Sequence, residues 1–395
     1  MENINFFSEN LDVQNKTVIL RLDFNVPIKD NIIQDDTRIS LCFPLIKTLI
    51  KKKAKIIILS HLGRPKGHRV PELSLDPIHR YLKKKLNTNV YFYKGNLNRN
   101  IMEEFSYNKG DVILVENIRF FKEEEENDEV FAKRLGSICD IYINDAFSCS
   151  HRKQASIHKI TKFVKKSYAG FLMKKEIDAI NLITKNKKKP VTCIIGGAKI
   201  STKISVIYNL IKEVDNLVIV GAMANNFISF KGYRVGKSLV EKNTKNIIEK
   251  IIKQAGEKNC EIIIPEDCKV GIEFSGDGVN KKLKDIKKDE IILDIGKETI
   301  KSICSKIDNS NTILWNGPAG YFENENFKGG TMSIAKKISE NTKNKSLISI
   351  LGGGDTLSAV NKSNEKLFFT HLSTAGGAFL EYLEGKDLPG LSVLK

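Results

Sequence analysis

The stretch TVILRLDFNVP, residues 17–27, opens as a short run of β-branched and apolar residues and closes in a charged, amide-bearing turn. The same figure returns as KIIILSHL (55–62), VILVENI (112–118) and IYINDAF (141–147), with stretches of helical spacing between them. Strand-like runs alternating with helices predict a parallel sheet wrapped by helices. VTCIIGGA (191–198), NLVIVGAMA (216–224), EIIIPED (261–267), TILWNGPAG (312–320) and SLISILGGGD (346–355) continue the rhythm. The expected fold class is therefore α/β: two lobes, each a doubly wound parallel sheet. The connector is expected at SYAGFLMKKEIDAINLITKNKKKP, residues 167–190, which has the apolar spacing of a helix and ends in a lysine run before Pro190.

The bulk properties agree with this reading. At 395 residues the chain is two to three times the usual ~100 to 200 residues of one domain. With 41% hydrophobic and 28% charged residues and a mean hydropathy of −0.24, it is neither disordered nor collagenous. Its apolar runs, such as 56–59 and 217–220, fall short of the ~18 residues a membrane-spanning helix needs, and MENINFFSENLD lacks the basic start and apolar stretch of a secretory signal. A cytoplasmic location is expected. Seven scattered cysteines, never closer than eight residues, give neither a disulfide framework nor a zinc knuckle. Of the basic residues behind the +17 net charge, 54 are Lys and 10 Arg, in a chain also rich in Ile and Asn. The lysine runs at 51–53, 83–85 and 187–189 are read as solvated faces. Nine of the ten arginines, all but Arg234, lie in the first 152 residues, which points to an anion site in the first lobe.

An open parallel sheet places its ligand crevice outside the carboxyl ends of its strands. In the first half those ends carry Asp23 and Asn25, His61 and Arg64, Arg119, Asp145, and His151 with Arg152, and Arg38 comes from DDTRI. Converging arginines and histidines suit a small phosphorylated, carboxylated substrate whose hydroxyl Asp23 and Asn25 would take. In the second half the ends are glycine-rich: GGAKISTK (Gly196, Gly197, Lys199, Lys203), WNGPAG followed by Glu323, GGGDT (352–356) and STAGGA (373–378). Such turns let backbone amides approach phosphate, and Asp355 is placed to reach a nucleotide-bound magnesium. GYRVGKS (232–238) has three residues between its glycines where a phosphate loop needs four, and no GxGxxG follows a strand.

RLDFNVP, DDTRI, SHLGRP, ENIRF, NDAF with HR, GGAK with its later lysine, WNGP, GGGDT and EGKDLPG stand in an order that resembles the phosphoglycerate kinase family over nearly the whole chain. The resemblance implies a two-lobed monomer joined by a hinge helix, catalysing magnesium-dependent phosphoryl transfer between ATP and the carboxylate of 3-phosphoglycerate to give ADP and 1,3-bisphosphoglycerate. It divides the chain into a glycerate-binding domain (1–168), an interdomain helix (169–185) and a nucleotide-binding domain (186–381), with residues 382–395 packing back onto the first. It assigns Asp23, Phe24, Asn25, Arg38, His61, Leu62, Gly63, Arg64, Arg119 and Arg152 to the glycerate. It assigns Gly196, Gly197, Lys203, Gly296, Asn316, Pro318, Glu323, Gly353, Gly354, Asp355 and Thr356 to the nucleotide, with Asp355 on magnesium. Charge on the transferring group would meet Arg38, Lys199, Lys203 and the amides of Gly354 and Gly377. The chain departs from the family pattern at VGAMA (220–224) and at Ala375, where added methyl groups would narrow an adenine pocket and blunt an anion-binding helix end. The competing class, a basic nucleic-acid-binding α/β protein, would interleave basic residues with exposed aromatics. Here there is one Trp, and most aromatics lie inside apolar runs.

Overall fold

The computed structural model describes residues 4–95, 97, 101, 104–105, 107–363 and 365–395. The chain divides into two compact units, Met1–Ile177 with Asp387–Lys395, and Asp178–Lys386. The first contains β1 (Thr17–Arg21), β2 (Ile28–Lys29), β3 (Ile32–Ile33), β4 (Lys55–Leu59), β5 (Val90–Tyr93), β6 (Val112–Val115), β7 (Ile141–Asn144) and β8 (Lys166–Ala169). Six of these form one sheet in the order β5-β6-β4-β1-β7-β8, every neighbouring pair parallel. β6 and β7 are buried along their whole length, as strands covered by helices on both faces must be. The chain winds outward from β1 through β4 and then reverses to β7, so the end of β1 stands at the switch point where open parallel sheets place a ligand crevice. The C-terminal segment belongs to this unit: the Asn5 amide donates to the Leu394 carbonyl at 2.8 Å, and the Gly390 amide to the Ser150 carbonyl at 2.8 Å.

The second unit contains β9 (Val191–Ile195), β10 (Asn216–Ile219), β11 (Glu261–Ile263), β12 (Asp267–Gly271), β13 (Val279–Lys282), β14 (Ile291–Ile295), β15 (Thr312–Asn316), β16 (Ile348–Gly352) and β17 (His371–Leu372). Its main sheet, β11-β10-β9-β15-β16-β17, is again wholly parallel and reverses between β9 and β15. Trp315 anchors its core, fully buried with the indole N–H donating to the Gly317 carbonyl at 2.8 Å. The doubly wound α/β fold expected from the sequence is the fold observed. One run differs: 261–267 is not a single strand. It breaks at Pro265, so that β11 closes the parallel sheet while β12 starts a separate antiparallel sheet with β13 and β14. Proline has no N–H for a ladder and restricts the residue before it, which ends the strand.

Candidate active site

At the reversal of the first sheet the polar residues form one network. Asp23, two residues past β1, accepts from Arg38 Nη1 at 2.8 Å, from the Asn25 amide at 2.9 Å and from the Ser148 hydroxyl. Arg38 sits in the first turn of the helix Thr37–Lys51 and also donates to the Asn25 carbonyl at 3.3 Å. The Asn25 side chain accepts from the Gly63 amide at 2.9 Å, and Arg119 Nη1 donates to the Gly63 carbonyl at 2.8 Å. Gly63 adopts φ +61°, so the loop after β4 is pinned from both sides at a residue free to turn left-handed. His61 is buried on this loop with Nδ1 3.8 Å from Asp23.

The electrostatics follow from burial. Desolvation pushes His61 well below the ordinary imidazole range and outweighs the pull of Asp23, and Arg21, Arg119 and Arg38 add to the effect. The ring is therefore neutral at pH 7; against its burial, the Asp23 carboxyl is kept below the usual range by the Arg38 guanidinium and by the hydrogen bonds from Ser148 and the Asn25 amide, and not by an imidazolium at His61. Arg119, 4% exposed, is lowered by burial and by its guanidinium neighbours Arg21 and Arg152, against the pull of Cys149 and Glu125. Phe24 and Leu62 are core residues, with the Phe24 amide donating to Ser60 Oγ at 2.9 Å. Arg64 is exposed and Arg152 half-buried. Two members of the network escaped the sequence reading: Ser148, and Arg21, whose guanidinium is wholly buried beneath His61. Arg21 is the last residue of β1 and reads there as one more strand position.

At the reversal of the second sheet the backbones of the two central strands nearly touch. A Cβ on Gly317 would lie 2.3 Å from the Gly196 carbonyl oxygen, and one on Gly196 would lie 2.4 Å from that of Pro318. Lys203 Nζ donates to Asn316 Oδ1; burial lowers the ammonium against the pull of Cys193 and Asp355. Gly353, at φ +93°, precedes the helix Gly354–Asn361, which carries Asp355 in its first turn. Cβ atoms on Gly354 or Gly377 would meet nothing within 4 Å, so these backbones face open space. A cavity of about 270 Å³ lies beside this junction, lined by Gly197, Ala222, Leu293, Pro318, Glu323 and Asp355 among others. Gly296 is not among its lining residues; its Cα is packed against the Asp267 carboxylate. Thr356 is fully buried, its hydroxyl accepting from the Gly317 amide at 2.7 Å, and Lys199 is exposed. Ala222 and Ala375 need no left-handed φ, because Gly221 (+68°) and Gly376 (+57°) carry it beside them. The segment 232–238 packs on β14 and the loop before it: Gly236 abuts the Glu290 carbonyl, and Ser238 accepts from the Ile292 amide at 2.8 Å.

Among the described residues no helix is long and apolar enough to cross a membrane. All seven cysteines are free, and five of them are buried.

A guanidinium nest at one sheet reversal and a glycine-lined cavity with an adjacent lysine and aspartate at the other have the anion-binding chemistry of a phosphotransferase. Residues 8–386 match the profile of the family described as phosphoglycerate kinase. A phosphoglycerate kinase of Wolbachia pipientis wMel is 46% identical over 390 residues, covering 98% of each chain. The structure of phosphoglycerate kinase from Coxiella burnetii superposes with a TM-score of 0.90 at 40% identity, over 98% of this chain and 97% of that one. That from Pyrococcus horikoshii OT3 gives 0.79 at 30% identity, over 98% of each. The chain belongs to the phosphoglycerate kinase family, glycolytic kinases that use ATP and ADP as co-substrates.

Proposed function

We propose that the protein catalyses ATP + 3-phosphoglycerate ⇌ ADP + 1,3-bisphosphoglycerate, acting as a cytoplasmic monomer. The observation that carries the assignment of sites is the network at a sheet reversal in which the Arg38 and Arg119 guanidinium groups and the neutral His61 ring gather around the Asp23 carboxylate. Asp23 and Asn25 take the glycerate hydroxyl, and Arg38, the His61 to Arg64 loop, Arg119 and Arg152 take its carboxylate and phosphate. The adenine and ribose lie in the second-unit cavity, with Glu323 toward the ribose and the Gly353 to Thr356 turn around the phosphates. Exposed Asp355 fits magnesium, which favours a carboxylate together with phosphate oxygens, and the ion when bound neutralises phosphate charge.

Transfer to a carboxylate oxygen leaves no proton for a base to remove, so the residues act by position and charge. Arg38, Lys199 and Lys203 neutralise the moving phosphoryl group, and the amides of Gly354 and Gly377 donate to it. Glycerate site and nucleotide site lie on different units, so in-line transfer requires closure about residues 169–185 and exclusion of water.

ATP-dependent consumption of 3-phosphoglycerate, coupled to reduction of the acyl phosphate, tests the reading. Arg38→Ala and Lys203→Ala should each lose at least about 100-fold in kcat while melting cooperatively. An inactive wild type at saturating substrates and magnesium, or folded variants within about threefold of it, would refute these roles.

A further inference from the structure

Behind His61 a line of buried polar groups runs into the first unit. Arg21 Nη2 lies 3.4 Å from His61 Nδ1, Nη1 donates to the Leu22 carbonyl, and Nε donates to Ser156 Oγ at 3.0 Å. Ser156 Oγ donates in turn to Glu124 Oε1 at 2.7 Å, and the Ser156 amide donates to Oε2 at 2.7 Å. Arg21, Ser156 and Glu124 are all completely buried. Burial raises the Glu124 carboxyl, against the pull of Arg21, the two Ser156 donors and Arg119, which favour the anion; as a carboxylate it only accepts, a guanidinium only donates, and the hydroxyl between them does one of each.

His61 is the end of the line and has two competing neighbours. Arg21 can only donate to Nδ1, which places the ring proton on Nε2. Asp23 Oδ1, 3.8 Å from the same nitrogen, would favour the opposite tautomer. Arg21 is the nearer and is held by Ser156, whereas 3.8 Å is beyond hydrogen-bond range. Cys149 Sγ, 3.8 Å from Nδ1 and 4.0 Å from Nε2, serves either form. The remaining charged groups acting on the ring, Arg119 and Arg38, disfavour a second proton, as does burial.

We propose that Glu124 and Ser156 are positioning residues of the anion site, holding Arg21 so that His61 is fixed as the neutral Nε2–H tautomer and presents that N–H to the bound anion. The proposal rests on the reading of this nest as the glycerate site. Its second half is a specificity argument: a neutral N–H donor recognises an acceptor oxygen without adding a further cation to a site already rich in guanidinium groups.

The test uses the full chain with 15N-labelled histidine, the His61 signals being identified by their loss in His61→Gln. Ligand-free wild type should show a protonated Nε2 and a bare Nδ1 that hold across neutral pH. Ser156→Ala frees Arg21, so the Nδ1–H form should appear and KM for 3-phosphoglycerate rise about tenfold, with KM for ATP unchanged and kcat within about twofold. Ser156→Thr, which restores the hydroxyl, should restore both signatures. Glu124→Gln, which sets an amide N–H against Ser156, should reproduce the Ala result independently if the Thr variant does not fold. Wild type with a protonated Nδ1, or folded Ser156→Ala and Glu124→Gln proteins with the wild-type spectrum and KM, would overturn the proposal. A wild type that does not turn over 3-phosphoglycerate would instead refute the substrate reading, leaving the spectra of ligand-free protein to decide the tautomer.

Discussion

Thr356 follows Asp355 in a glycine-rich turn, yet its hydroxyl points away from that turn's open face and accepts the Gly317 N–H at 2.7 Å inside the core. Valine at this position keeps the shape and removes the acceptor, leaving a buried N–H unpaired at a cost of about 1–3 kcal/mol. Gly317 precedes Pro318, which lines the cavity, so Thr356→Val should also raise KM for ATP several-fold and leave KM for the glycerate substrate alone. Denaturant titration with steady-state kinetics checks both, and an unaltered midpoint would refute the role given to this hydrogen bond. The contrast with Asp355 shows what sequence can convey about single residues. Charged groups at strand ends are legible as a set, because one Asp, His or Arg after an apolar run can be a plain cap, as Asp145 is for the helix that begins at Phe171, whereas several together are hard to explain that way. A threonine facing inward or outward differs only in rotation about the helix, and Arg21, one position inside a strand, carries no mark of the network it enters.

At the scale of elements, the ends of β9 and β15 converge so tightly that their glycines are structural requirements. Gly317 has φ +114°, and its missing Cβ would sit 2.3 Å from a backbone oxygen that cannot move away cheaply. Gly232 also has a left-handed φ, +86°, but open space around it. Gly232→Ala should therefore cost only backbone strain, about 1 kcal/mol, whereas Gly317→Ala adds the clash and should lose at least about 2 kcal/mol along with nucleotide affinity. Equal losses in the two variants, read from thermal melts, would mean that strand convergence does not matter. Strand starts were legible from their β-branched runs, and the runs continue past each strand end into the functional turns: 17–24 yields a strand of 17–21, and 55–62 one of 55–59. β5 escaped because VYFY has half-buried positions among its aromatics and leads into a lysine rather than into an acidic or amide-bearing strand end, and β12 to β14 because they pair antiparallel in a sheet of their own, outside the parallel rhythm.

Across the whole molecule, each unit holds one buried aspartate pushed up to about 7, Asp145 in the first and Asp294 in the second. Both accept from backbone amides at helix starts, Asp145 from Met173 at 2.9 Å and Asp294 from Gly330 at 2.7 Å, an arrangement that favours the anion. Burial nevertheless prevails and keeps each carboxyl mostly protonated up to about pH 7. An unfolded aspartate releases its proton near pH ~3.9, so between about pH 4 and 7 the folded chain binds more protons than the unfolded one, and these groups make stability fall as pH rises. His61 and His158 act in the opposite sense, because their lowered values leave the folded chain short of protons below about pH 6.5, but they are common to wild type and variant. Asp145→Asn and Asp294→Asn remove one such group each. Relative to wild type, each variant should therefore gain about 2 kcal/mol in unfolding free energy from pH 5 to pH 8, whatever its offset at pH 5. Urea titrations at the two pH values measure this, and a variant-to-wild-type difference that stays flat would mean that the aspartate is ionised in the fold. If the two units unfold in separate transitions, Asp145→Asn should move only the one that melts Met1–Ile177, and Asp294→Asn only the other.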